Sequence, residues 1–162
     1  MPEATRECEV ASCWWTSQLD TGVAPPLTED QLSKFQMALQ SILEQRYDNH
    51  WYPIDPERGT AYRSISSEGR SMDQVITQAA RLSGIPNITG RLKVQCIMWV
   101  DPSSVKVAFS HAKKPNIIWQ RNEEGVEQLT WRHTGNSAHI NQRLVNSNLT
   151  RESLLEVQEI VS

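Results

Sequence analysis

The stretch from Arg91 to Asp101 alternates strictly along the chain, and this alternation constrains the fold more than any other feature of the sequence. Successive side chains of a β-strand point to opposite faces of a sheet, so an apolar residue at every second position predicts a strand with one buried face. The apolar series is Leu92, Val94, Cys96, Met98 and Val100. The segment Asp101-Pro102-Ser103-Ser104 is typical of a turn, and the alternation returns from Val105 to Phe109. The sequence therefore predicts an antiparallel β-hairpin.

The other face of this strand carries Ile97 and Trp99 in company with Lys93 and Gln95. A large aromatic side chain on such a face is either covered by another part of the same chain or offered to a partner, because tryptophan is enriched at binding hot spots. The pattern alone leaves both alternatives open.

Three helices are predicted from apolar spacing and capping signals. Residues 7–19 carry apolar side chains three and four apart, which predicts a helix with one buried stripe. Thr28 and Gln31 have the spacing of a capping box at the start of a second helix, whose apolar face continues to Tyr47. Ser71 and Gln74 have the same spacing before a third helix, which Gly84 would close.

The remaining segments complete a small α+β domain. A short extended piece is predicted at 61–65, and further strands at 117–119 and 126–131. Residues 134–147 are rich in Asn, Ser and His and resemble a linker, and the apolar residues near the C-terminus predict a short helix. We therefore expect one domain at residues 1–133, with helices packed on a small antiparallel sheet in two layers, followed by a linker and a short helix at 134–162.

Composition and charge disfavour several classes of function. The net charge is -3 and no Lys/Arg block occurs, so the basic stripe that normally supplies nucleic-acid affinity is missing. The six tryptophans could nevertheless stack bases, and an aromatic RNA-binding module is the alternative function. The acids Asp55, Asp73 and Asp101 stand singly, so catalysis is not expected.

The three cysteines have no metal-ligand spacing, and we expect neither a metal nor a cofactor. Near the N-terminus nothing resembles a secretion signal, so we expect a location in the cytoplasm or the nucleus. The longest apolar run is far shorter than the roughly 20 residues that cross a bilayer, and no membrane partner is expected.

The loop from His50 to Gly59 contains two aromatic residues and two prolines besides His50. Proline restricts the backbone, so such a loop is ordered in advance and loses little entropy when a partner binds. Trp51 and Tyr52 could equally fill the space beside the helices, and His50 is more typical of a hydrogen-bonded loop residue than of a base or a ligand.

Two segments of the sequence resemble the signature boxes of the BTG/Tob anti-proliferative family. His50-Trp51-Tyr52-Pro53-Ile54-Asp55-Pro56-Glu57-Arg58-Gly59-Thr60-Ala61-Tyr62-Arg63-Ser64-Ile65 is similar to the first box, and Met98-Trp99-Val100-Asp101-Pro102-Ser103-Ser104-Val105 is similar to the second box. The resemblance implies a domain of helices against a small antiparallel sheet. It also implies an adaptor that binds the DEDD-type nuclease subunit of the Not deadenylation complex through both boxes. Such an adaptor would modulate poly(A) shortening and transcription and would restrain cell proliferation, with transcription factors as further partners.

The resemblance also implies which residues contact the nuclease. The matching positions are Tyr62 in the first box and Trp99 and Asp101 in the second box, and replacing Trp99 or Asp101 with alanine is expected to keep the fold and abolish binding. The neighbouring candidates for the partner-binding surface are His50, Trp51, Tyr52 and Ile97.

The sequence departs from the family pattern at three positions within the boxes. Ser64 stands where the family usually has cysteine, Ser104 replaces the usual acidic residue after the turn, and Glu57 introduces an acid before Arg58. We expect these departures to weaken or retune the contact with the nuclease.

Overall fold

The predicted hairpin forms the centre of an antiparallel sheet. The computed structural model describes residues 4–68, 71–112 and 114–130. In these ranges the helices are α1 (Thr5–Ser17), α2 (Glu29–Tyr47), α3 (Gln74–Leu82) and α4 (Ile88–Arg91), and the strands are β1 (Ile65–Glu68), β2 (Ser71–Met72), β3 (Cys96–Asp101), β4 (Ser104–Phe109), β5 (Asn116–Arg121) and β6 (Glu127–Leu129). The six described strands lie in the order β2-β1-β3-β4-β5-β6, and every neighbouring pair is antiparallel. Helices packed on such a sheet confirm the predicted α+β class.

Helix α1 is buried almost all round, which corrects the prediction of a single buried stripe. It contacts both α2 and the central strands β3 and β4, and the side chains from Val10 to Ser17 are all buried. Its polar residues are accommodated because their hydroxyl groups donate to carbonyl groups of the preceding turn. Thr16 Oγ1 donates to the Ser12 carbonyl at 2.7 Å, and Ser17 Oγ donates to the Trp14 carbonyl at 2.6 Å. Short hydroxyl side chains can therefore lie on the buried faces of a helix, although their polarity in the sequence suggests exposure to solvent.

Capping residues define the start of α2 and both ends of α3. Thr28 and Gln31 form the predicted capping box of α2, with Thr28 Oγ1 accepting from the Gln31 amide at 3.1 Å. Helix α3 ends at Leu82, and Gly84, with a φ of 70°, takes the predicted C′ position after it. Its start differs from the prediction, because Asp73 rather than Ser71 caps the helix. Ser71 belongs to β2, which pairs with β1 in a short hairpin.

Two predicted strands begin later than expected. Residues 61–63 form a turn, in which the Arg63 amide donates to the Gly59 and Thr60 carbonyls, and pairing starts only at Ile65, opposite Met98. Strand β3 begins at Cys96, opposite Ser67, rather than at residue 91, and Arg91 is instead the last residue of the short helix α4. The core face of the prediction holds, since Cys96, Met98 and Val100 on β3 are fully buried.

The expected linker and terminal helix at 134–162 lie outside the described residues. In the described part of the chain, no helix is both long and apolar enough to span a membrane.

Candidate functional site

A buried arginine joins the first box to the second box. The Arg63 side chain is completely buried, and its guanidinium group donates hydrogen bonds of 2.7–2.9 Å. Its acceptors are the carbonyl groups of Val100, His50, Arg58 and Pro56 and the carboxylate of Asp101. Because arginine presents five N–H donors in a fixed fork, one side chain can hold two ends of the loop and the end of β3 at once. The geometry of the loop relative to the sheet is therefore set by Arg63.

Asp101, the expected contact residue of the second box, is directed into this network. It is only 4% exposed, and its Oδ1 lies 2.9 Å from the Arg63 Nη2. A carboxylate with so little exposure has little surface to offer a partner. Its place in the structure is to neutralise Arg63 and so to hold the loop against the second box.

Tyr62 lies at the surface next to this network. Its side chain is 43% exposed. The ring stacks on the His50 imidazole with the centroids 4.0 Å apart, and the Arg46 guanidinium carbon lies 5.0 Å from the Tyr62 centroid. An aromatic ring held in this way keeps a fixed orientation, so little side-chain entropy remains to be lost on binding.

The two loop aromatics differ in their surroundings. Trp51 packs against the core, where its ring stacks on the buried Tyr47 ring at 6.2 Å and the Arg63 guanidinium carbon lies 5.2 Å from its centroid. The Tyr52 ring lies beside Arg58, whose guanidinium carbon is 4.3 Å from its centroid. Trp51 therefore supports the loop from the side of the core, and Tyr52 packs against Arg58 within the loop.

Trp99 and Ile97 occupy the outer face of the sheet, as the alternation predicts. Both are partly exposed. Trp99 pairs with Lys106 on β4, and Ile97 pairs with Ala108 on β4. Paired residues on antiparallel strands project to the same face, so these four side chains form one surface with an apolar centre and a cation beside it. We call the three exposed or partly exposed residues Tyr62, Ile97 and Trp99 together the docking face.

The turn of the second box is anchored to the body of the domain by a buried glutamate of α1. The Glu7 Oε2 accepts from the Ser103 amide at 2.9 Å and from the Arg121 Nη2 at 3.0 Å. Ser103 has a φ of 66°, an uncommon conformation for a residue with a side chain, so this hydrogen bond helps to hold it. Burial raises the pKa of the Glu7 carboxyl above its ordinary value of 4.5, and the Ser103 amide and the Arg121 charge oppose that rise.

This pKa shift predicts how stability depends on pH. The folded chain binds the Glu7 proton more tightly than the unfolded chain, so the stabilising contribution is complete below pH 4.5 and is lost as the pH rises through the raised pKa. Replacement by glutamine removes the titration. The free energy of unfolding of Glu7→Gln, relative to that of the original chain, is therefore expected to rise with pH across this window. Urea titrations at a series of pH values measure it, and a difference that stays constant with pH contradicts the prediction.

The sequence did not point to Arg63 or Glu7 as parts of this site. Four of the Arg63 acceptors are backbone carbonyl groups, which carry no sequence signal. Glu7 reaches Ser103 and Arg121 from the far end of the chain. The one available signal is the coincidence of an arginine in the first box with an aspartate in the second box.

No metal site is formed by the residues that the structure describes, since no three or more His, Cys, Asp or Glu side chains are grouped to hold an ion. Asp55 is exposed in the loop, Asp73 caps α3 and Asp101 is paired with Arg63. The three acids that could have suggested catalysis are thus accounted for separately.

The model of the BTG family matches this chain over residues 5–119, which include both boxes and the elements that hold them together. The chain belongs to the BTG/Tob family.

Individual BTG/Tob relatives agree with this. A BTG family protein of Dictyostelium discoideum is 34% identical over 113 residues, which are 69% of this chain and 26% of that protein. Tob1 of Homo sapiens is 30% identical over 105 residues, which are 62% of this chain and 30% of Tob1. BTG1 of Homo sapiens is 29% identical over 131 residues, which are 79% of this chain and 71% of BTG1. The chain thus spans under a third of the first two relatives and most of BTG1.

A solved BTG/Tob domain, that of C. elegans FOG-3, has the same fold. It superposes with a TM-score of 0.52 at 20% sequence identity, covering 88% of this chain and 98% of that domain. The BTG/Tob fold therefore accounts for the helices and the six-stranded sheet.

The three departures from the BTG/Tob pattern lie within the two boxes. Ser64 is partly buried, and its Oγ donates to the Ala61 carbonyl at 2.8 Å. Ser104 begins β4 and pairs with Asp101, and Glu57 is exposed in the loop. Of the three, Glu57 is the departure that adds a charge at the surface.

Proposed function

We propose that this chain is an anti-proliferative adaptor of the BTG/Tob family that binds the nuclease subunit of the Not deadenylation complex through its docking face. In this role it modulates poly(A) shortening and transcription, acts in the cytoplasm and the nucleus, has transcription factors as further partners and has no catalytic activity of its own. The chain supplies the contact, and the nuclease supplies the chemistry.

The observation that carries this proposal is the ion pair between Arg63 and Asp101. It fastens the loop of the first box to the end of the strand that carries the second box. A rigid connection of this kind reduces the entropy lost on binding, because the two boxes already hold their relative positions before the partner arrives. The ion pair therefore favours one joint surface that includes both boxes, rather than two independent contacts.

The composition of the docking face supports a protein as the partner. Tyr62, Ile97 and Trp99 give an aromatic and aliphatic centre, which is the usual character of a protein hot spot. A nucleic acid would need a row of cations along its phosphates, whereas the described residues place Lys106 beside Trp99 and Arg46 over the Tyr62 ring. The RNA-binding alternative is therefore the weaker one.

The test is a titration of the purified nuclease subunit with this chain and its variants. Trp99→Ala and Tyr62→Ala are each expected to lower the binding free energy by about 2 kcal/mol, which is about thirtyfold in Kd. Met37→Ala is the matched control, because Met37 is 58% exposed on α2 and lies outside both boxes. Isothermal titration calorimetry measures the affinities, and a poly(A) shortening assay with and without the nuclease measures activity.

Three outcomes would count against the proposal. Normal affinity in both box variants would show that the docking face is not the contact. Shortening of poly(A) by this chain alone would show catalysis. Direct RNA binding that weakens steeply with salt and depends on Trp99 would favour the RNA-binding alternative.

A further inference from the structure

Lys106 lies among apolar residues on the outer face of the sheet. It is partly buried on β4 and pairs with Trp99 on β3 and with Ile117 on β5. Directly paired residues of antiparallel strands have their Cβ atoms about 4.5–5.5 Å apart, so the aliphatic stem of Lys106 lies beside Trp99. Ile117 is 43% exposed. The cross-strand partners of Lys106 are therefore apolar on both sides.

Strand β3 offers one acid near Lys106, and this acid is engaged elsewhere. Asp101 lies two positions along β3 from Trp99, and its Oδ1 accepts from the Arg63 Nη2 at 2.9 Å. Within residues 4–68, 71–112 and 114–130, the Lys106 ammonium group forms no ion pair. The charge of Lys106 thus lacks an acidic partner in the described part of the chain.

Two other lysines of the described part show the usual arrangement. The Lys34 Nζ lies 2.9 Å from the Asp30 Oδ2, and that lysine side chain is 61% exposed. The Lys93 Nζ lies 3.2 Å from the Asp20 Oδ2, and that lysine side chain is 71% exposed. Lys106 is more buried than either of them and has less water to solvate its charge. A carboxylate brought by a partner would therefore stabilise it more.

A second cation borders the docking face. Arg46 of α2 is exposed, and its guanidinium carbon lies 5.0 Å from the centroid of the Tyr62 ring. No carboxylate among the described residues forms an ion pair with it. Tyr62 and Trp99 thus each have a cation beside them, and this charge favours an acidic surface on the partner.

We infer that Lys106 binds a carboxylate on the surface of the nuclease subunit, an inference that rests on the proposed function. The docking face then selects a partner surface on which an acidic side chain lies next to apolar ones. When such a surface covers Trp99, water is excluded from the ion pair beside it, and the pair becomes stronger than it would be in water. The flexible stem of lysine allows its ammonium group to reach the carboxylate.

The test is a calorimetric titration of the purified nuclease subunit with the full chain and two variants. Lys106→Met keeps an unbranched apolar side chain and removes the charge, and it is expected to weaken binding about tenfold. Lys106→Glu places two acids together and is expected to weaken binding about a hundredfold. Salt should weaken the binding of the original chain more than that of Lys106→Met, because ions screen the pair. Urea titrations check that both variants fold.

Lys114→Glu is the matched control, because Lys114 is exposed in the loop between β4 and β5 and the variant changes the net charge by the same amount. It is expected to bind the nuclease like the original chain. A charge swap identifies the acid: each exposed carboxylate of the nuclease is replaced with lysine in turn. At least one of these replacements is expected to weaken binding of the original chain and to restore binding of Lys106→Glu.

The outcomes separate this inference from the proposed function. If Trp99→Ala weakens binding and Lys106→Glu does not, or if no charge swap restores binding, the inference is overturned and the proposed function stands. Equal losses in Lys106→Glu and Lys114→Glu would show an effect of net charge, which also overturns it. Binding of poly(A) that weakens in Lys106→Met would show that the lysine takes a phosphate instead. If the original chain does not bind the nuclease, both fail together.

Discussion

Replacing Asp101 with alanine is expected to lower the free energy of unfolding by about 3–5 kcal/mol. The variant leaves the Arg63 guanidinium group, which is completely buried, without its counter-charge. Water can solvate this charge only if the loop of the first box separates from the sheet. Since domains are stable by only about 5–15 kcal/mol, the loss is a large part of the total. Urea unfolding followed by tryptophan fluorescence measures it.

A matched control is the exposed ion pair between Lys34 and Asp30 on α2, whose nitrogen and oxygen atoms are also 2.9 Å apart. Lys34→Ala should cost no more than about 0.5 kcal/mol, because water screens both charges. If Asp101→Ala cost as little as this control, the Arg63 network would not hold the boxes. The result also affects the interpretation of binding studies. The sequence predicted that Asp101→Ala keeps the fold, whereas the buried ion pair predicts a loss of stability. Lost binding in this variant would therefore not identify Asp101 as a contact.

The second large effect is expected at Trp119. Trp119→Ala should lower the free energy of unfolding by about 3–5 kcal/mol, because the side chain is completely buried and its removal leaves a cavity. Its Nε1 also donates to the Glu127 Oε1 at 2.8 Å, and the alanine variant removes that donor. Thermal and urea unfolding of the variant measure the loss.

Trp99→Ala is the matched comparison, since it removes the same side chain from the outer face of the same sheet. Because Trp99 is only partly buried, Trp99→Ala should lower the free energy of unfolding clearly less than Trp119→Ala does. Trp99→Ala should, however, lower the affinity for the nuclease more than Trp119→Ala does. Equal losses of stability would mean that Trp99 is a core residue, and the docking face would then lose its central side chain.

The fold was predictable where local signals coincide with the tertiary structure. The capping box at Thr28 and the alternation around β3 and β4 were confirmed, because each depends on residues that are neighbours in the chain. The start of α3 was wrong by contrast. Asp73 and Ser71 both suit a cap, and pairing of Ser71 with Glu68 decided between them.

The candidate site was less predictable than the fold. The alternation placed Trp99 and Ile97 on the outer face, and resemblance to the family singled out Tyr62. The burial of Asp101 could not be seen, because it depends on Arg63 reaching carbonyl groups from several separate positions. A position that the alternation of a strand predicts to be exposed is buried when a long side chain from another part of the chain covers it.

Two parts of the chain that are far apart in the sequence are joined in the described structure. The Arg6 Nε of α1 donates to the Glu127 Oε1 of β6 at 2.6 Å, across 121 positions of sequence. Because this contact joins the first described helix to the last described strand, the ribosome must complete β6 before α1 can obtain its final neighbours. A shortened chain that stops at residue 119, where the family match ends, would retain both boxes and lose Glu127. A chain that ends at that boundary would therefore contain a helix whose buried arginine has lost this carboxylate.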